Sequence, residues 1–288
     1  MQNSGNGIHF EWLARDPGEC HEVNSKPVVE QATMTEVGPN GKDVLLETRN
    51  LTRAFGKLVA VDAVDLTIRK GQLHSIIGPN GAGKTTFFRL ISGEMQSSAG
   101  TIWFNGANIT GLPQHKVVRL GIAKSYQITN VFPHLTVFEN VRVAAQGWRH
   151  SFNFWARAER LVDVRSRAMA ILEEIGLGRK QSLLAAHLSH GEQRHLELAI
   201  ALAAEPSLLL LDEPTAGMSP EETDETMALI PLIAQSRTVI VVEHKMKLVM
   251  KISDRITVLH QGQVLADGTP DEIRANEQVR KTYLGAAL

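Results

Sequence analysis

Gly78-Pro79-Asn80-Gly81-Ala82-Gly83-Lys84-Thr85 fits the spacing G-x-x-x-x-G-K-[ST] at every fixed position. Its chemistry is the binding of a phosphate chain. Glycines let the backbone turn tightly and aim successive N–H groups at one point, where phosphate oxygens accept them. A helix starting at the end of the loop adds the partial positive charge of its N-terminus. Lys84 is long enough to reach the outer phosphates, and the Thr85 hydroxyl is a ligand type that suits Mg²⁺. The spacing has this meaning only between a strand and a helix. An apolar run, Leu73 to Ile77, precedes it, and a helix-like segment, Thr85 to Ser92, follows.

Two further groups extend the same chemistry. The run Leu208 to Leu211 ends in Asp212-Glu213. An apolar strand ending in acids sets them at the carboxyl edge of a sheet, where open α/β folds bind ligands. Asp212 is suited to hold Mg²⁺, directly or through water. Glu213 is then placed to orient or deprotonate a water that attacks a γ-phosphate. In Leu188-Ser189-His190-Gly191-Glu192-Gln193, Ser189 and Glu192 form a capping box that opens a helix. The same hydroxyl and free N–H groups also suit a phosphate.

The elements that must position these groups can be read along the chain. Val44 to Leu51, Val59 to Ile68, Gln72 to Ile77, Thr101 to Phe104, Leu208 to Leu211 and Val239 to Val242 are predicted strands. Ile256 to Leu259 and Gln263 to Ala266 are a predicted strand pair around Gln261-Gly262. Trp155 to Ile175, Glu192 to Ala204 and Pro220 to Ala234 are predicted helices, and Thr136 to Glu139 is a capping box that starts another. Strands alternating with helices imply an α/β fold with a mostly parallel sheet covered on both faces. Residues 1–43 show no sustained period and carry the turn signal Pro39-Asn40-Gly41, so they are expected to be a poorly ordered extension.

Bulk properties narrow the function. The chain has 288 residues, enough for one large domain or two small ones, and its formal net charge of −1 offers no basic field for nucleic acid. Cys20 is the only cysteine, which excludes an internal disulfide and fits a cytoplasmic setting. No apolar run approaches the roughly 18 residues of a membrane span, so a membrane role is expected to act through a partner.

Together the three motifs resemble the ATP-binding subunit of ABC transporters, over about residues 44–285. The resemblance implies a P-loop NTPase of ABC type. Its mostly parallel core carries an antiparallel β part and an inserted helical subdomain at about residues 128–190. Residues 44–288 are then one ATP-binding domain. The cofactors implied are ATP and Mg²⁺, with Gly78 through Thr86 around the phosphates. Ser189, Gly191 and Glu192 form the signature segment, which in this family faces the ATP held by another subunit. Phe55 fits the aromatic that stacks on adenine, its alternative being an ordinary core Phe. Gln127 fits the glutamine that contacts Mg²⁺ and the attacking water. His244 fits the switch histidine at the γ-phosphate.

Four positions depart from the family pattern: His190 and Glu192 within the signature, Ser219 where aspartate is common, and Lys245 where an acid is common. Gln127 to Phe132, Asp212 to Pro220 and Gly268 to Ile273 are similar to the branched-chain amino-acid importer group, with urea or short amides as alternative cargo. The resemblance implies transmembrane permease subunits, a second ATP-binding subunit and a periplasmic or extracellular substrate-binding protein. It places the chain at the cytoplasmic face of the membrane. The helical region, with Trp148, Phe152, Phe154 and Trp155, either packs as core or docks the permease. A lipid-exporting ATPase, a soluble ABC protein and a non-hydrolysing nucleotide-gated module are the rival readings.

Overall fold

A computed structural model describes residues 43–125, 131–149 and 158–284. Strand β1 (Val44–Phe55) and strand β2 (Leu58–Arg69) form an antiparallel hairpin closed at the Phe55–Leu58 pair. Both strands run further than their branched-residue cores predict. Strand β1 has partners on both sides, so the ladder continues through polar Asn50, Thr52 and Arg53 with register shifts. Strand β3 (Leu73–Ile77) is buried throughout and leads through the glycine loop into α1 (Lys84–Ile91). Strand β4 (Ala99–Phe104) turns at Asn105-Gly106 into β5 (Ala107–Asn108).

Next come α2 (Gln114–Arg119) and β6 (Ile122–Ser125), neither of which the sequence pattern predicts. Four residues that include a lysine make a weak strand signal. It is parallel pairing with β7 (Leu208–Asp212) that fixes β6. Helices α3 (Val137–Arg149), α4 (Ala158–Glu174) and α5 (His190–Leu202) come between these two strands in the chain. After β7 follow α6 (Pro220–Ala234), β8 (Thr238–Val242), α7 (Met246–Ile252), β9 (Arg255–His260), β10 (Gln263–Gly268) and α8 (Pro270–Ala275).

Two sheets result. One has the order β10-β9-β3-β8-β7-β6, parallel except for β10; the other is antiparallel, β2-β1-β4-β5. The parallel sheet divides its side chains by alternation. Leu209, Leu211, Val239 and Val241 face a core made with α3, α4, α5 and α6. Leu208, Leu210, Ile240 and Val242 face a core made with Phe87 and Phe88 of α1 and with Leu46, Val61 and Ile68 of the hairpin. Covering on both faces is thus achieved, but one cover is largely a second sheet rather than helices. Its strands alternate buried and exposed residues, as a sheet with one wet face must.

Within the parallel sheet, His74 is wholly buried. Its Nε2 lies 2.7 Å from Thr257 Oγ1, and the Thr257 hydroxyl donates to Asp267 at 2.8 Å. Burial, opposed by Asp267, lowers its pKa from 6.5 to about 4. An unfolded chain takes up a proton near pH 6.5 that the folded chain refuses. Stability from this residue is therefore complete above that pH and lost as pH falls toward 4. The loss amounts to about 3 kcal/mol. Urea midpoints measured between pH 7 and 4.5 are expected to fall more steeply for the parent than for His74→Gln. Equal slopes would remove this account.

Candidate functional site

Three parallel strands, β3, β8 and β7, lie side by side, with Ile76 opposite Val242 and Val242 opposite Asp212. Adjacent strands stand about 4.8 Å apart, so three successive strand ends fall within roughly 10 Å. The chain leaves β3 as the glycine loop, β8 as Glu243-His244 and β7 as Asp212-Glu213. Cations, acids and an imidazole thus meet at one carboxyl edge.

The cradle is held by close approaches. Gly83 has φ near 97° and a Cβ there would lie 2.3 Å from the Ala60 carbonyl oxygen. A Cβ on Gly78 would lie 2.3 Å from the Leu259 carbonyl oxygen. These positions admit only glycine without movement, and they press the loop between the hairpin and β9. Pro79 is half-buried, Asn80 and Gly81 are exposed, Ala82 is buried, Thr85 is exposed and Thr86 is half-buried. The Lys84 ammonium donates to the carbonyls of Gly78 at 2.7 Å and Pro79 at 3.1 Å. Burial lowers its pKa, while Glu213 and Asp212 act in the opposite sense by favouring the charged form.

Asp212 is the last residue of β7 and is only 4 % exposed. Burial raises its pKa, opposed by Lys124 and assisted by Glu213. Its Oδ1 is buried and has no hydrogen-bond partner among the described residues. A buried carboxylate oxygen of this kind calls for a donor or a cation. The residues present therefore fit a hard, oxygen-seeking ion. Glu213 follows with φ near 47°, a left-handed backbone unusual for a side-chain-bearing residue, and its N–H donates to Val242 at 2.9 Å. Strain of this sort is retained where the surroundings over-determine it, often at functional sites.

His244 is 53 % exposed in its side chain, and its Nδ1 is 3.8 Å from Glu243. Glu243 escaped the sequence reading. It is fully buried, accepts from the Thr215 hydroxyl at 2.6 Å and backbone at 3.2 Å, and accepts from the His244 N–H at 3.2 Å. It ties the segment after β7 to the end of β8. An acid directly following a fully apolar strand was the available signal.

Phe55 stands at the hairpin tip and is 43 % exposed, which removes the core-packing alternative. The Arg53 guanidinium covers one face, 4.7 Å from the ring centroid. Ala60, which touches Gly83, lies two residues from the tip's Leu58, about 7 Å of strand. The aromatic ring is thereby carried on the element that abuts the cradle.

Ser189 caps α5 in the expected box: its hydroxyl accepts from the Glu192 N–H, and Glu192 accepts from the Ser189 N–H. Glu192 also pairs with Lys180. Burial pushes the Glu192 carboxyl up, but Lys180 and the Ser189 N–H outweigh it and hold it low. Its carboxylate thus serves the helix cap and the Lys180 ion pair. The other departures find structural reasons. The His190 ring lies against Gly217, its Nε2 3.2 Å from where a Cβ would stand. Ser219 caps α6, accepting from the Glu222 N–H at 3.2 Å. Lys245 donates to Thr223 of α6 at 3.3 Å. Gln127, Phe152, Phe154, Trp155 and the Trp148 side chain lie outside the described residues.

A strand-borne glycine cradle whose lysine faces an acid pair on the next strand but one is the layout of a P-loop ATPase of cassette type. Residues 61–216 match the ABC transporter family, and the chain belongs to that family. Residues 263–288 match the family described as branched-chain amino acid ATP-binding cassette transporter. The high-affinity branched-chain amino acid transport ATP-binding protein BraF of Pseudomonas aeruginosa is 44% identical over 255 residues, 84% of this chain and 98% of that protein. LivG of Escherichia coli, of the same description, is 40% identical over 256 residues, 84% of this chain and 98% of that protein. Among solved structures, the ADP conformation of the cassette MJ1267 aligns with a TM-score of 0.73 at 27% identity, covering 84% of this chain and 99% of that one. A dimeric bacterial cassette, MJ0796, aligns with a TM-score of 0.67 at 26% identity, covering 78% and 99%.

Proposed function

We propose that this chain is the ATP-hydrolysing subunit of a multi-subunit importer for branched-chain amino acids. The observation that carries the reading is the meeting of the β3, β8 and β7 ends at one edge, in a chain aligned over nearly the whole length of such proteins. Loop N–H groups, Lys84, Thr85 and Thr86 hold the phosphates, and Phe55 offers its uncovered face to adenine. Glu213 orients or deprotonates the attacking water, and His244 steadies the γ-phosphate. Catalysis is then mostly positioning and electrostatics. Mg²⁺ suits Asp212, Thr85 and Gln127 as ligands, and when bound it neutralises charge on the outer phosphates.

Ser189 and Gly191 complete the site of a second ATP-binding subunit, identical or related, and that subunit returns the favour. No helix among the described residues is long and apolar enough to cross a membrane, so coupling requires permease subunits. These place the chain peripherally at the cytoplasmic face and receive cargo from a substrate-binding protein outside. Residues 128–190 supply the docking subdomain. Phe132, Leu135, Leu183 and Leu184 are exposed there, and a bridge between Thr136 and Leu184 brings the two stretches together. Phe132→Asp is expected to weaken association with the permease by about tenfold or more, while nucleotide binding by the isolated chain is unchanged. Undiminished co-purification would rule out this surface.

The whole reading is tested by reconstituting the chain with its permease and binding protein in vesicles. ATP-dependent leucine uptake with phosphate release is the expected result. Uptake of urea without leucine, or of neither, would overturn the cargo assignment.

A further inference from the structure

The signature end of α5 already holds an anion. Glu222, in the first turn of α6, accepts from the Ser189 hydroxyl at 3.1 Å and from the Gly191 N–H at 3.0 Å through the same oxygen, Oε1. Its other oxygen accepts from the Ser219 N–H at 3.1 Å. One carboxylate thus bridges the N-termini of two helices, α5 and α6. The absence of a side chain at Gly191 makes room for it: a Cβ there would come within 2.8 Å of the Glu222 carboxyl carbon. Donation from Ser219 and Gly191 lowers the Glu222 pKa, so the group is charged at neutral pH.

The donors it uses are a serine hydroxyl and a backbone N–H at a helix start. A phosphate oxygen seeks the same pair. Two anions cannot share them, because each donor has one hydrogen to give and like charges repel at contact distance.

We propose that Glu222 is an internal stand-in for the γ-phosphate: in the unpaired chain its carboxylate fills the seat at Ser189 and Gly191, and the nucleotide of the opposing subunit must displace it. This rests on the role proposed above for Ser189 and Gly191. The latch makes closure conditional on a γ-phosphate able to win the seat. ADP, which lacks that group, leaves the carboxylate in place. The seat's occupant also sits three residues past Ser219, on the segment that descends from Glu213, so displacement moves the start of α6.

The experiment compares the assembled transporter carrying the parent chain, Glu222→Gln and Glu222→Asp. Glutamine keeps the length and removes the charge; aspartate keeps the charge in the first turn of α6 but withdraws it from Gly191. The ATP concentration for half-maximal hydrolysis is expected to fall about threefold or more in both variants, since the fraction of chains competent to pair rises. A half-saturating concentration unchanged or raised in the folded variants overturns the latch. Ser189→Ala in the same assay separates the two layers. If it lowers turnover while the Glu222 variants show no gain in apparent ATP affinity, the seat stands and the latch falls. If it leaves turnover at the parent rate, the seat and the latch fall together.

Discussion

Glu213→Gln is expected to keep ATP bound and to slow its hydrolysis by about 10²–10⁴-fold. The substitution is nearly isosteric, so the backbone turn at φ near 47° and its bond to Val242 are retained. What disappears is a carboxylate able to orient or take a proton from water. Removal of that charge also relieves Asp212, whose protonated form the neighbouring Glu213 favours. Nucleotide affinity should therefore not suffer. With binding intact and turnover blocked, paired subunits are expected to accumulate in the closed state. Phosphate release measured beside equilibrium ATP binding decides the matter. Hydrolysis at the parent rate would show that another group positions the water.

Lys84→Ala should act one step earlier, on binding itself. The ammonium is buried at the mouth of the loop and spans the Gly78 and Pro79 carbonyls, which aims it into the cradle. A charge-assisted bond to phosphate contributes about 2–3 kcal/mol, so its loss corresponds to a 30- to 150-fold weaker nucleotide complex. Alanine also leaves the two carbonyls facing the phosphates without a cation between them. Titration with a fluorescent ATP analogue, alongside thermal unfolding as a check of the fold, measures the effect. Affinity within a few-fold of the parent, in a folded variant, would place the phosphates elsewhere.

How legible each feature was depended on whether its geometry is local. The glycine loop, the acids after Leu208 to Leu211 and the cap at Ser189 are defined by spacings of a few residues, and each lies in the element its spacing implies. Helix α6 begins and ends where its proline and apolar pattern place it. By contrast, β6 and α2 were not legible, because a four-residue strand is made by its partner and a one-and-a-half-turn helix by its packing. The length of β1 was missed for a similar reason: pairing on both sides overrides weak local preference.

By themselves, then, the residues in order determined that this protein is of the ATP-using cassette class and which short segments carry its motifs. The chain's own bond geometry dictates those segments. Only the tertiary structure decided that β3, β8 and β7 end side by side, that Phe55 stands out in solvent, and that Glu243 and Glu222 are the carboxylates joining the pieces. Those facts arise from strand order and from contacts between residues 28 and 31 positions apart. Burial of shared apolar surface sets such contacts, and no local spacing encodes them.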